Sequence, residues 1–408
     1  MKIAILGHGV VGSGVVEVLT TNRSGIEKKA GCPVEIKYIL DRKDFPDLPY
    51  SHLFVKDFEV IASDPEVDVV VEVMGGVEPA FTFVSRSLSA GKNVVTSNKE
   101  LVAAKGAELL ALAARHNVNF LFEASVGGGI PIIKPLHLCL GANEITAIAG
   151  ILNGTTNFIL TKMIREKMAF EEALALAQQL GYAERDPSAD VEGHDACRKI
   201  CILASLAFGS HIYPQWVHTE GITAITPDDV ACAAAWGGAI KLIGQARLLE
   251  DDKLAILVSP ALVSRDSQLS TVDDVYNGIL VRGNATGDVM FYGKGAGKLP
   301  TASAVVSDII DAIRAEGTIH TLQWKDGDGS RLEPFEECPV SALVRLESSN
   351  QATAKFHVLF GEAVSVTAPK GQVAFITPRT TEGELARKLD ALRENDVKVL
   401  GMVRVLEE

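Results

Sequence analysis

The run Lys2–Leu6 followed by Gly7-His8-Gly9-Val10-Val11-Gly12 restricts this chain more than any other stretch of it. A short apolar strand leading into G-x-G-x-x-G and then a helical pattern is the opening of a βαβ unit. The first glycine permits the tight turn, the second lets a pyrophosphate approach the backbone, and the third lets helix close on strand. Phosphates then face a helix start, where unpaired N–H groups and the dipole favour anions. Short β-branched runs recur at Val34–Leu40, Val67–Val73, Asn93–Thr96 and Asn119–Glu123, with helical spacing between most of them, as over Leu101–Arg115. The fold class this predicts is α/β, a Rossmann-type doubly wound parallel sheet. Its expected cofactor is NADP or NAD, held at Gly7, Gly9, Val10, Val11 and Gly12. After the second strand comes Asp41-Arg42-Lys43. An acidic residue there suits the ribose hydroxyls of NAD and an arginine suits the 2′-phosphate of NADP. The reading leans to NADP through Arg42 and leaves NAD open.

From about Pro131 the rhythm changes. Thr155–Lys167, Phe170–Leu180 and His194–Ala207 read as helices, and Leu254–Val263, Ile279–Gly283 and Asp288–Tyr292 as strands, which predicts an α+β substrate and dimerisation domain over 131–299. GKGAGKLPTASAVVSDIIDAIR returns to loop and helix, so a helix at about 300–316 is expected to rejoin the dinucleotide domain of 1–130. Thr318–Pro334 reads as a linker. Residues 336–408 then read β-α-β-β-α-β, through Ser341–Glu347, Ala352–Ala363, Val364–Ala368, Gln372–Thr377, Thr381–Asn395 and Val397–Leu406. That is the ferredoxin-like order.

A net charge of −13 argues against nonspecific binding to nucleic acid or anionic membranes. No apolar run approaches the roughly 20 residues of a membrane span. The N-terminus enters a strand rather than a leader pattern, so a cytoplasmic location is expected. None of the six cysteines forms a C-x-x-C pair, and Cys197 and Cys201 read as small core residues on one helix face.

Cofactor and substrate should meet at the carboxyl edge of the sheet. There the sequence places Gly75-Gly76, Thr96-Ser97-Asn98-Lys99 and the glycine-rich Glu123–Ile130. A lysine at a strand end can hydrogen-bond a carbonyl or alkoxide oxygen. The densest polar cluster runs from Gly181 to Lys199 and holds Tyr182, Glu184, Asp190 and Asp195. Asp195 and Lys199 sit four apart on a helix, which by itself fits a weak surface ion pair. The accumulation of carboxylates at the mouth of an apolar helix fits a site wall instead.

Seven ordered motifs, GHGVVG, EVMGGVEPA, VVTSNKELVA, FEASVGGGIPI, GILNGTTNFIL, GYAERDPSADVEGHDACRK and GKGAGKLPTASAVV, cover about the first three-quarters of the chain. Together they resemble homoserine dehydrogenase, and the C-terminal unit resembles an ACT domain. The resemblance implies interconversion of L-aspartate 4-semialdehyde and L-homoserine, a step toward threonine, methionine and isoleucine. It implies that Lys199 is the principal acid/base and that Lys99 positions substrate and contacts cofactor. Glu184 and Asp195 would recognise the substrate, with Asp190 and Tyr182 in support. Gly154 and Thr155, at a helix start, would offer N–H groups to its carboxylate. Gly75, Thr96 and Gly297 would line the cofactor. A monovalent cation, Na⁺ or K⁺, would be held by the carbonyls of Glu123, Val126, Gly128 and Ile130. The expected partners are the small-molecule substrate and further copies of the chain, as a homodimer or homotetramer. ACT domains commonly bind an amino acid near a D-x-x-G-type turn after the first strand. Here the turn reads Ser348-Ser349-Asn350-Gln351-Ala352, without the Asp or the Gly, which predicts weak or absent inhibition by threonine. Asn350 can tolerate a left-handed backbone, which leaves room for some of the turn geometry. Two other functions are open to such a chain, a dinucleotide sensor without turnover and a dehydrogenase acting on a C–N bond. The intact Lys99, Glu184, Asp195 and Lys199 oppose the first, and the NGTT and GYAE motifs oppose the second.

Overall fold

Near-continuous Val and Ile in the early strands need burial on both faces, which a parallel sheet supplies. A computed structural model describes residues 1–315, 322 and 324–407. Glu316 of the expected return helix, Thr318–Thr321 and Gln323 of the expected linker, and Glu408 lie outside the described residues. The chain forms two units, the first comprising Met1–Glu144, Cys201–Trp216 and Phe291–Asp328, the second Ile145–Ile200, Val217–Met290 and Gly329–Glu408.

The first unit carries six strands: β1 (Lys2–Leu6), β2 (Glu35–Leu40), β3 (Phe54–Val55), β4 (Val67–Glu72), β5 (Asn93–Thr96) and β6 (Phe120–Leu121). All pair in parallel, in the order β3-β2-β1-β4-β5-β6. The order reverses between β1 and β4, the switch point at which such sheets bind ligands. The return helix spans Lys298–Arg314 and buries Ala302, Val305, Ile309 and Ile313 in one core with Ile3, Ile5 and Val15. The first compact unit runs on past Pro131 as far as Glu144. The reason is the Glu123 carboxylate, which accepts N–H groups from Ile132 (2.6 Å), Ile133 (2.8 Å) and Lys134 (2.8 Å) and so ties the following segment to the first unit.

The second unit is built on β7 (Ile145–Ile151), β8 (His218–Thr219), β9 (Gly238–Leu248), β10 (Leu254–Ser264), β11 (Tyr276–Gly283) and the first half of β12 (Gly287–Lys294), followed by β13 (Pro339–Val340), β14 (Ala342–Glu347), β15 (Val364–Val366), β16 (Gln372–Ile376), β17 (Thr380–Thr381) and β18 (Val399–Val405). Sequence reading passed over β7 and β9. In β9 two glycines and Lys241 interrupt the apolar run, yet Lys241 is fully buried, its Nζ donating to the Val272 carbonyl at 2.6 Å and pairing with Asp273 at 3.0 Å. The terminal β-α-β-β-α-β segment has the order β18-β14-β16-β15, antiparallel throughout, over a core of Phe356, Phe360, Phe375, Leu385 and Leu392. It is not a separate body. β18 also pairs with β10, Ala261 opposite Arg404 and Leu262 opposite Val405, so one mixed sheet runs through both parts. Asn350 is not left-handed: Ser349 caps the helix Asn350–Phe360, its Oγ accepting from Ala352 N at 2.9 Å, which makes Asn350 the first helical residue.

Two buried arginines fasten this junction. Arg345 on β14 pairs with Asp229 at 3.0 Å and donates to Gln372 Oε1 at 2.8 Å. Arg404 on β18 reaches Glu382 at 2.6 Å and both oxygens of Glu220 at 2.7 and 2.9 Å. Burial opposes ionisation of Glu220, but hydrogen bonds from His218 and Arg404 overcome it and bring the carboxyl down to about 2. A depressed carboxylate contributes stability above its unfolded pKa and loses it as pH falls towards the folded value. Glu220→Gln should therefore lower the melting temperature at neutral pH. The gap to the native protein should close as pH falls from the ordinary Glu range towards about 2. A gap independent of pH would remove the ion pair as its cause.

Candidate active site

In the first unit the glycine turn has the geometry a dinucleotide needs. Gly7 adopts φ +101°, and a Cβ on Gly12 would stand 2.0 Å from the Gly7 carbonyl oxygen, so helix and strand close only on glycine. A Cβ at Gly9 would meet nothing within 4 Å, and Gly9 caps the helix Val10–Thr21 without any side-chain acceptor. This bare helix start, with Val10 and Val11 in its first turn, fits a pyrophosphate. Gly297, at φ +124°, caps the helix Lys298–Arg314, also without a side-chain cap. Asp41 accepts N–H groups from His8 and Lys43, each at 2.8 Å, which ties its carboxylate to the turn, while Arg42 and Lys43 remain exposed. His8 is a feature that motif reading ignored. Its ring is buried against Phe45 and Phe54 and meets the Tyr50 hydroxyl at 3.1 Å, and burial pushes its pKa down.

Gly75, Thr96 and Lys99 follow β4 and β5 at the carboxyl edge. Gly75 has φ +86° and open space where a Cβ would be. The Thr96 hydroxyl is engaged internally, donating to Glu72 Oε2 at 2.6 Å and accepting from Asn98 N at 2.9 Å. Lys99 is half-buried and begins the helix Lys99–His116, for which Asn98 is the cap. A cation there opposes the helix dipole, so the position is not one that helix stability selects.

Of the loop read as a cation site, Glu123, Val126 and Ile130 are buried and Gly128 has φ +56°. A Cβ on Gly128 would lie 2.3 Å from the Gly295 carbonyl oxygen, so glycine alone allows this packing. The Glu123 side chain is spent on the three amides named above, which leaves only its backbone for an ion. Among the described residues, no group of three or more His, Cys, Asp or Glu side chains is placed to hold a metal.

In the second unit the structure brings Asn153, Asp190, Asp195 and Lys199 together. Asn153 caps the helix Gly154–Arg165 through Oδ1, which accepts from Thr156 N at 2.8 Å. Its Nδ2 donates to Asp190 at 2.7 Å and to Asp195 at 2.9 Å, so one amide orients two carboxylates. Lys199 lies 2.8 Å from Asp195 and donates to the Leu152 carbonyl at 2.7 Å. Their side chains are 8% and 5% exposed, which excludes a solvated surface pair. Burial raises the Asp190 carboxyl, the Asn153 hydrogen bond opposes it, and the Asp195 charge adds to the rise. Buried charges are costly to keep, and such groups cluster at functional sites. The Asn153 amide and the Leu152 carbonyl were missed as partners, because only the fold brings the first to Asp190 and Asp195 and the second to Lys199.

Tyr182 is exposed, its ring edge-on to Phe158 at 5.1 Å, and the Thr155 hydroxyl donates to its carbonyl at 2.8 Å. A Cβ on Gly154 would lie 2.8 Å from the Val275 carbonyl oxygen. Glu184 is exposed, and its carbonyl accepts from Gln178 at 3.0 Å.

A family model described as the NAD binding domain of homoserine dehydrogenase matches residues 7–123, and one described as homoserine dehydrogenase matches 131–310. The homoserine dehydrogenase of Synechocystis sp. is 48% identical over 369 residues, spanning 88% of this chain and 82% of that protein. The crystal structure of a homoserine dehydrogenase from Thiobacillus denitrificans superposes with TM-score 0.92 at 35% identity, covering 100% of this chain and 98% of that one. A hyperthermophilic archaeal homoserine dehydrogenase mutant in complex with NADPH gives TM-score 0.63 at 29% identity, over 76% of this chain and 97% of that one.

Proposed function

The chain belongs to the homoserine dehydrogenase family and is an NAD(P)-dependent oxidoreductase, and from this premise we propose that it interconverts L-aspartate 4-semialdehyde and L-homoserine with Lys199 as principal acid/base. The observation that carries the role of Lys199 is its burial beside Asp195 and the Leu152 carbonyl. A nicotinamide, when bound, supplies or accepts the hydride. As the substrate C=O becomes C–O⁻, Lys199 gives a proton to the oxygen, and in reverse it takes that proton back. Asp195 holds Lys199 Nζ in place, and Asn153 orients Asp195. Lys99 contacts the cofactor and the reacting oxygen. Glu184 and Asp195 meet the substrate ammonium, Asp190 and Tyr182 support them, and the amides of Gly154 and Thr155 take the carboxylate.

The finer reading favours NADP. Arg42 is exposed where a 2′-phosphate would lie, and Asp41 is held by backbone amides. The reading also includes Na⁺ or K⁺ on the carbonyls of Glu123, Val126, Gly128 and Ile130, a homodimer or homotetramer, a cytoplasmic location, a place in threonine, methionine and isoleucine formation, and an ACT-like terminal segment with a degenerate effector turn. No described helix is long and apolar enough to cross a membrane.

The test is a steady-state assay following nicotinamide absorbance. Oxidation of NADPH, and to a lesser extent NADH, should require aspartate semialdehyde, and rising L-threonine should barely change the initial rate. Absence of turnover with both cofactors, in folded protein supplied with Na⁺ or K⁺, would sink the assignment. Strong inhibition by threonine would sink the reading of the turn.

A further inference from the structure

The last residue of β4 is a carboxylate that the reaction outlined above does not use. Glu72 is 0% exposed and follows Val69, Val70 and Val71 at the end of β4, at the switch point. Its partners are neutral donors from two different loops. Oε1 accepts from Met74 N at 2.7 Å, Gly75 N at 3.4 Å and Asn98 Nδ2 at 3.5 Å, and Oε2 accepts from Thr96 Oγ1 at 2.6 Å. Burial raises this carboxyl against those hydrogen bonds. A buried carboxylate is an expensive way to tie loops. What it offers is acceptor capacity on two oxygens at once, with no donor of its own to place.

The bonding continues outward from Glu72. Thr96 Oγ1 accepts from Asn98 N at 2.9 Å, Asn98 Nδ2 donates to the Gly76 carbonyl at 2.7 Å, and Asn98 Oδ1 accepts from Leu101 N at 3.1 Å. The loop after β4 and the loop after β5 are thereby fixed to each other, and the second of them is the cap from which Lys99 starts its helix. We propose that Glu72 is a positioning residue for the dehydrogenase reaction, locking the β4 and β5 loops together so that Lys99 is presented in one place. This rests on the role given to Lys99 in the proposed function.

The experiment is a double-mutant cycle on the full chain, with kcat, cofactor KM and melting temperature measured for each variant. Glu72→Gln keeps the size of the side chain but replaces one acceptor oxygen with an NH2, which sets a donor against the N–H or O–H donors it faces. In folded protein, kcat should fall by about tenfold or more, since displacements near 1 Å already cost rates of that order. Groups that act through one another do not multiply. In a Lys99→Ala background, Glu72→Gln should therefore cost less than about twofold further. Near-native kcat in Glu72→Gln, or a full tenfold loss repeated on top of Lys99→Ala, would overturn the proposal, the latter marking a general structural effect. If Lys99→Ala itself left kcat unchanged, the role of Lys99 would fall and this inference with it, an outcome distinct from the other two. Should Glu72→Gln fail to fold, Thr96→Val takes its place in the cycle. It removes the 2.6 Å donor alone and should show a smaller loss with the same non-multiplicative pattern.

Discussion

Lys199→Ala is expected to lower kcat by about 10²-fold or more, the scale of a positioned general acid, while leaving cofactor affinity nearly unchanged. Lys199 is held in place by Asp195 and the Leu152 carbonyl. The substitution also leaves Asp195 buried without its counter-charge, which costs stability by about 3–5 kcal/mol when a buried pair is broken. The measurement must therefore report the melting temperature beside the rate and be made well below it. Glu184→Ala is the contrasting variant. Its exposed side chain is given substrate binding only, so KM should rise with a smaller change in kcat. Near-normal kcat in folded Lys199→Ala would pass the proton to Lys99 or to water.

A chain ending at Pro334 is expected not to reach a stable native state. Removing the rest strips β18 from β10 and takes Arg345 from Asp229 and Arg404 from Glu220. Asp229, 3% exposed in the full chain, loses with the segment both its Arg345 partner and part of its cover. Whole domains are stable by only about 5–15 kcal/mol, and the exposed β10 edge invites aggregation as well. Circular dichroism and size-exclusion chromatography of the shortened chain should show aggregate or a melting temperature far below that of the full chain. A soluble, cooperatively melting product would mean the terminal segment is an appendage after all. Regulation by this segment is accordingly tested on the intact chain, with threonine added, rather than by deletion.

What could be read from the sequence follows a physical pattern. β1, β5 and the helix His194–Phe208 were bounded to within a residue, because apolar period and turn chemistry agree there. The glycine turn was legible because each glycine has its own steric reason, as the 2.0 Å approach at Gly12 shows. β9 was missed because a strand that buries a lysine against a distant aspartate does not alternate. The Asp195–Lys199 pair was legible as a pair but not as buried, since burial is a property of what packs around the helix. Glu72 carried no signal at all: one acidic residue ending a valine run becomes informative only once two loops are seen to converge on it. The pairing of β18 with β10 was not legible, since the ferredoxin-like order of the terminal segment says nothing about a neighbour for β18.

The return helix has a consequence for how the protein is made. The first unit's core is closed by Ala302, Val305 and Ile309, yet β1 leaves the ribosome about 290 residues earlier. At the usual pace of about 5–20 residues per second, that interval is about 15–60 s. Through it the face of the parallel sheet that this helix covers stands open on a nascent chain. A chaperone that shields apolar surface during synthesis would act on this protein in that window, before Lys298–Arg314 emerges to close the core.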